Sequence, residues 1–376
     1  MRESGLSQTD LAERCEVSKE AVSNWMAGES IPRPRKARRL AEVLELAVDT
    51  LFSSAEGVAE PVVAYRTRKN RAVTGPAMEA AEDIGRHLRE LVPFIPRESL
   101  FVPPVLEHPS LDEGYIRAVA CQVRARAGVA PTAPLSRGRL LGLHRHFGSI
   151  LVPVLWDKHI ESPESALSVL LPDARVFWVL FSLNAKDEDF NYALACELGH
   201  CYSLHALRDD TGEAFADAFA QELLFPLEAA EIALDESAAR GGFRVHASWC
   251  ASKYDISALT VLGQMEKVAE SRGMRKEEIA PEGFWQDWNA GRAHTPTVAE
   301  TMLDTANPTV EEYVVGAEKV FATPVFQALA RWQSQEGKSP AFMRATLNLD
   351  IVTAMELAAF LGSGARGTHS DRAPLP

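Results

Sequence analysis

The chain has 376 residues, 46% of them hydrophobic and 24% charged, with a formal net charge of −13. That length exceeds one ordinary core and predicts two or three domains. No apolar run reaches the length of a bilayer span, and the N-terminus lacks the basic-then-apolar layout of a signal peptide, so a cytoplasmic protein away from the membrane is expected. Five scattered cysteines, an odd number, argue for reduced thiols and against a disulfide frame. Charge is unevenly spread: residues 1–71 carry 12 Lys/Arg against 11 Asp/Glu, which leaves about −14 on the remainder. An acidic body behind a near-neutral head with basic clusters would approach DNA head first.

In chain order, residues 1–52 read as a first domain of short helices. Ser7-Gln8-Thr9-Asp10 has capping-box spacing ahead of Leu11 and Ala12, Cys15-Glu16-Val17 reads as a turn, and Ser18 can cap a second helix from Lys19 to Met26. Gly5-Leu6-Ser7-Gln8, Leu11-Ala12, Val17-Ser18, Val22-Ser23-Asn24-Trp25, Gly28 and Ile31-Pro32 together resemble the phage-repressor (XRE-type) helix-turn-helix. The resemblance implies that the second helix enters the major groove of double-stranded operator DNA. Gln8 would contact DNA at the start of the first helix, and Ser18, Lys19, Glu20, Ser23 and Asn24 would face the groove. Leu11, Ala12, Val17, Val22, Trp25, Leu40 and Leu44 would form a small core. Arg33, Arg35 and Lys36 belong to a basic run suited to gripping phosphates, as does the run from Arg66 to Arg71. The alternatives are that the helical pair is only an interaction module and that the basic runs are only solvated surface. Relatives have a full helix before the Gly-Leu-Ser-Gln block, whereas only Met1–Ser4 precede it here, which points either to a start placed too late or to support from a partner in a homodimer.

Residues 53–64 read as a linker, small and polar up to Pro61. An amphipathic helix is expected from Pro76 to Phe94, with Met78, Ala81, Ile84, Leu88 and Leu91 at helical spacing, before a Pro-rich break. Residues 53–110 are therefore taken as a connector. Two further helices follow, Glu113–Ala127 and Leu135–Phe147, then the apolar runs Ile150–Trp156 and Val176–Phe181, whose β-branched and aromatic content predicts buried strands of a small sheet. His144, His146 and His159 lack acidic or cysteine partners at ligand spacing and read as plain core or surface residues.

The stretch with chemistry is Phe190-Asn191-Tyr192-Ala193-Leu194-Ala195-Cys196-Glu197-Leu198-Gly199-His200, with Glu213 to Pro226 after it. A zinc-peptidase helix places two ligands four residues apart on one face, with a glutamate beside the first as general base. Here Glu197 and His200 stand in those places, and the first ligand position is Cys196. From Phe181-Ser182-Leu183-Asn184 through Cys-Glu-Leu-Gly-His to Ala-Asp-Ala-Phe-Ala-Gln-Glu-Leu-Leu-Phe-Pro, residues 176–226 resemble the ImmA/IrrE family of zinc metallopeptidases. The resemblance implies a catalytic Glu197, Zn²⁺ held by Cys196, His200 and Glu213, and Asp217 supporting from behind. Phe215 stands where many relatives carry a further glutamate. A thiolate can bind zinc but adds negative charge and reaches less far than imidazole, so the activation of a metal-bound water should suffer more than metal binding. Cys201 and His205 are rotated off the face of Cys196 and His200 and read as packing or cap residues.

The metallopeptidase-like region is taken as residues 111–272. Helices are expected beyond it at Val310–Phe321, Pro324–Trp332 and Ala341–Leu361 within a helical region 273–361, followed by a disordered tail 362–376. The fold class is mainly α with a small sheet, α+β. The leading expectation is a DNA-binding regulator whose peptidase-like body senses a signal or partner. The alternatives are an active zinc endopeptidase cleaving a repressor or antitoxin, and an antitoxin or defence-system regulator that binds a partner protein such as a toxin.

Overall fold

The computed structural model describes residues 6–26, 32, 34–44, 59–65, 75–96, 99–100, 104–156, 166–237, 239–275, 295–336 and 340–363. Three helices come first: α1 (Gln8–Cys15), α2 (Lys19–Met26) and α3 (Pro34–Leu44). Ser7 and Asp10 form the reciprocal cap that starts α1, and the Ser18 hydroxyl accepts the Ala21 N–H at the start of α2. Leu11, Ala12, Cys15, Val22 and Leu40 are buried against Leu6, Val17, Trp25, Val43 and Leu44. Cys15 is not in the turn, as its neighbours suggested; it closes α1 and is fully buried. The turn starts at Glu16, whose φ of 54° lies in the left-handed region.

Strand β1 (Val62–Tyr65) follows, in a segment that begins at the end of the expected linker. Then come α4 (Gly75–Leu91), a 3-10 turn at Val92–Phe94, α5 (Glu113–Arg126), α6 (Arg137–His146), β2 (Ser149–Val154), β3 (Ala166–Leu171) and β4 (Val176–Ser182). The four strands form one sheet in the order β1-β3-β4-β2, with β2 parallel to β4 and the other two pairings antiparallel. Every residue of β2 and β4 is buried, as a sheet covered on both faces requires. Pro153 is accommodated because β2 lies at the sheet edge, where a missing ladder N–H costs least. Its carbonyl accepts the Tyr313 hydroxyl at 2.6 Å.

The site helices come next: α7 (Asp187–Ser203) and α8 (Asp209–Leu224). Ser168 of β3 points to α7, where its hydroxyl meets the Glu197 carboxylate, while Val169 points to α4 on the opposite face. The sheet is thus held between α4 and α7. Beyond α8 run α9 (Leu227–Ser237), α10 (Phe243–Tyr254), α11 (Ala258–Ser271), α12 (Val298–Met302), α13 (Val310–Phe321), α14 (Val325–Glu336), α15 (Pro340–Leu347) and α16 (Ile351–Gly362). The single helix expected over Ala341–Leu361 is two helices bent by 117°. Asn348 takes a left-handed φ of 51°, and the Asp350 carboxylate then caps the N–H groups of Val352 and Thr353. Among the described residues no single helix is long and apolar enough to cross a membrane. His159, the Arg66–Arg71 run and all of the expected tail after Ser363 lie outside the described residues.

Helices α7 and α8 pack antiparallel and very close. A Cβ on Gly199 would come within 2.9 Å of the Ala216 Cα and 3.1 Å of Phe219 Cδ1, so glycine is what lets the two backbones approach. Across the sheet-facing side of α7, His144 is fully buried and its Nε2 lies 2.8 Å from the Leu194 carbonyl. Burial pushes its imidazole down to about 4.

Two expectations follow. Gly199→Ala should lower stability by about 1–3 kcal/mol in urea unfolding, because the extra methyl meets backbone and not a movable chain end. His144 carries an acid liability: the unfolded chain binds a proton near the ordinary imidazole value of 6.5, the folded chain only at about 4, so stability falls as pH drops through that window. The wild type should lose about 3 kcal/mol more than His144→Phe between pH 7 and pH 4, read as the difference in urea midpoints.

Candidate functional site

The body's candidate site is a two-rung ladder between α7 and α8. The first-turn acids Asp187, Glu188 and Asp189 suit the positive end of α7, and Arg137 ties that end down. Its guanidinium is 2.8 Å from Asp187 Oδ1, donates to Asn191 Oδ1 at 2.8 Å and lies over the Phe190 ring. One turn further on, the Cys196 thiol donates to Asp217 Oδ1 at 3.5 Å. A turn beyond that, His200 Nε2 is 3.1 Å from Glu213 Oε1. The spacing is the antiparallel counterpart of i, i+4 on each helix, so each α7 side chain meets the α8 acid in register with it.

Glu197 leaves this ladder. It is one residue round the helix from Cys196, and its Oε2 accepts the Ser168 hydroxyl of β3. Cys196 is 0% exposed and Glu197 and His200 are 1% exposed, whereas the Glu213 side chain is 34% exposed. Solvent therefore meets the ladder at its α8 acid, not at the residue expected to act as general base. Cys201 is buried on the other side, where Ser149 Oγ donates to its sulfur at 3.4 Å and burial pushes its thiol up to about 12. That fits a packing role. His205 lies past the end of α7 and is half-buried.

Helices α7 and α8 bring Cys196, Glu197, His200, Glu213 and Asp217 into one neighbourhood, with Cys196 beside Asp217 and His200 beside Glu213. Among the described residues no three His, Cys, Asp or Glu side chains converge as a metal ion needs. Cys196, His200 and Glu213 each carry a donor of a type that zinc accepts. Two structural residues near it escaped sequence reading. Ser168 sits in a strand that was not anticipated. Glu222 caps the Leu227 N–H at 3.2 Å and accepts Gln264 Nε2 at 2.8 Å; the Pro226 that follows it was a visible signal of a helix start.

At the other end of the chain, α2 presents Ser18, Lys19, Glu20 and Ser23 to solvent, with Asn24 half-buried. Gln8 is also half-buried, and its amide reaches Met26 Sδ at 3.4 Å, so α1 and the end of α2 are tied together. Lys36 is occupied differently from the expectation. Its ammonium donates to the carbonyls of Cys15 at 3.1 Å and Glu16 at 2.9 Å, capping the negative end of α1. Arg39 adds a bond to the Arg14 carbonyl at 3.2 Å. Lys36 thus supports the left-handed Glu16 turn that aims α2. Arg35 has its backbone in α3; Arg33 lies outside the described residues.

Residues 1–51 match the family model described as helix-turn-helix. No curated protein matches the chain. The match and the exposed face of α2 agree on a DNA-binding head of the kind found in transcription regulators.

Proposed function

We propose that the protein is a transcription regulator that binds operator DNA as a homodimer through α2, and that residues 111–272 form a sensing body derived from a peptidase-like fold that no longer hydrolyses peptides efficiently. The observation that carries the DNA reading is the solvent-facing row Ser18, Lys19, Glu20 and Ser23 on a helix held at both ends within a matched helix-turn-helix. Dimers of this motif place their reading helices in successive major grooves, so an operator with two half-sites is expected.

The sensing reading rests on the ladder. A hydrolytic centre needs a general base, such as a carboxylate, that can take a proton from a metal-bound water. Here Glu197 is buried and accepts the Ser168 hydroxyl, while Cys196 lies beside Asp217 and His200 beside Glu213. What such an arrangement does well is lock two helices in one register. The runner-up reading is a zinc endopeptidase with Glu197 as base and Cys196, His200 and Glu213 as ligands. One observation favours it: the 3.1 Å between His200 Nε2 and Glu213 Oε1 is close to the about 3.3 Å expected of two ligands on one tetrahedral zinc.

Operator fragments selected from random DNA by the full chain should be retarded in gels. Lys19→Ala and Asn24→Ala should each weaken that binding by roughly ten-fold, about 1.4 kcal/mol. Lys19→Ala should also flatten the salt dependence if Lys19 lies on a phosphate. Unchanged affinity in both variants would reject α2 as the reading helix. For the body, metal analysis after purification without added zinc should give well under one zinc per chain, with no cleavage of a mixed peptide substrate. One zinc per chain together with cleavage abolished in Glu197→Gln would establish the runner-up.

A further inference from the structure

We propose that the edge of β3 beside Glu197 is a peptide-binding edge which the protein fills with its own strand β1, and that an extended segment of a partner protein displaces β1. This deepens the sensing reading and rests on it, because it names what the body responds to.

The pairing is specific. β1 is antiparallel to β3 in the register Val62↔Leu170, Val63↔Val169, Ala64↔Ser168 and Tyr65↔Leu167. Ala64 is therefore opposite Ser168, the residue whose hydroxyl holds Glu197. β1 also touches α8. Without β1, the sheet would end at β3, and β3 would offer an open row of backbone donors and acceptors next to α7 and α8. An open edge of this kind takes up extended chains through main-chain hydrogen bonds.

The occupant is weakly equipped to hold its place. It is four residues long, whereas β3 spans six, Ala166–Leu171. Its described side chains are small or half-buried: Val62 and Val63 are half-buried, and only Ala64 is fully covered. What retains it sits mainly just before it. Pro61 lies under Gly85 of α4, where an added Cβ would meet the proline Cβ at 2.6 Å. Arg86 is 3.2 Å from Glu60, and Arg89 donates to the Ala59 carbonyl and lies 3.1 Å from Asp173. These pairs are partly solvent-exposed and individually weak. A peptide pairing with all six residues of β3, with apolar side chains alternating toward the sheet's covered faces, has more ladder to offer.

Position in the chain gives the exchange a consequence. β1 stands between the DNA-binding helices, which end at Leu44, and α4, which begins at Gly75. While β1 is paired, the first element fixed to the body after α3 is Val62–Tyr65; once β1 is displaced, it is α4. Occupancy of the edge is thereby linked to how the head is held.

The test uses the full-length chain and a fluorescent peptide of the native sequence from Ala59 to Thr67. In one variant, Val63→Pro and Ala64→Pro are combined: consecutive strand N–H groups point to opposite sides, so one of the two must face β3 and is removed. A second variant, Arg86→Ala with Arg89→Ala, loosens the anchor without touching the ladder. Both should bind the peptide at least about ten-fold more tightly than the wild type, whose tethered β1 competes at high effective concentration. A scrambled peptide should bind neither. Hydrogen exchange should show faster exchange at Val62–Tyr65 in the anchor variant, and in the wild type at saturating peptide, with α7 and α8 still protected. Failure of the peptide to bind a proline variant whose α7 and α8 amides remain protected overturns the proposal, as does equal binding of the scrambled peptide. No readout involves DNA, so failure here leaves operator binding standing, and loss of operator binding in Lys19→Ala leaves the edge standing.

Discussion

The close approach of α7 and α8 at Gly199 is the constraint on which the body depends. With only a hydrogen on that Cα, the Ala216 backbone comes within reach of what would otherwise be a side chain. Across that contact Cys196 lies beside Asp217 and His200 beside Glu213. Phe215 and Phe219 stack in parallel on the α8 side and Tyr202 packs edge-on against Phe219, so the polar rungs are flanked by aromatic surface that limits water. A buried polar ladder in such surroundings contributes register more than net stability, since the desolvation of polar groups offsets most of what their hydrogen bonds give.

That ladder is anchored in turn by the sheet. Successive β3 residues reach opposite layers: Ser168 fixes Glu197 of α7 and Val169 fills the space beside Gly85 of α4. Shifting β3 by one residue would exchange those two contacts and bury a hydroxyl against the helix α4, so the pairing register is set by what lies on each face. β1, joined to β3, inherits that register although it lies far away in the sequence. The same arrangement brings β1 opposite Ser168, whose hydroxyl meets Glu197.

The head is built on separate economics. Its core is small, and its geometry depends on a left-handed residue, Glu16, that has a Cβ and is therefore strained. Lys36 offsets this by donating to the two carbonyls at the end of α1. A lysine that in sequence looks like part of a phosphate-gripping run is bonded to the end of α1, while Lys19 and its neighbours Ser18 and Glu20 are exposed.

Local patterns determined much of this. The capping box at Ser7 and Asp10, the Ser18 cap, the periodicity around Ala81 to Leu91, and the apolar runs that became β2 and β4 are short-range signals, and each element formed close to where it was expected. That Cys196 and His200 share one face of α7 was legible for the same reason: i, i+4 spacing fixes a helix face without knowledge of the fold. Their partners were not legible. Whether Cys196, His200 and Glu213 share a point or split into two rungs depends on the distance and rotation between two helices, which Gly199 sets through a contact with Ala216. β1 and β3 were missed because short strands such as Val62–Tyr65 carry little pattern and acquire their identity from the neighbour that completes their hydrogen bonds. The break at Asn348 was hidden because a left-handed residue and the Asp350 cap outweigh an apolar period that continues across them. Sequence alone therefore determined which segments are helices and which residues share a face. Tertiary structure decided which faces meet, since that choice is made by backbone approach and edge pairing between segments remote from one another along the chain.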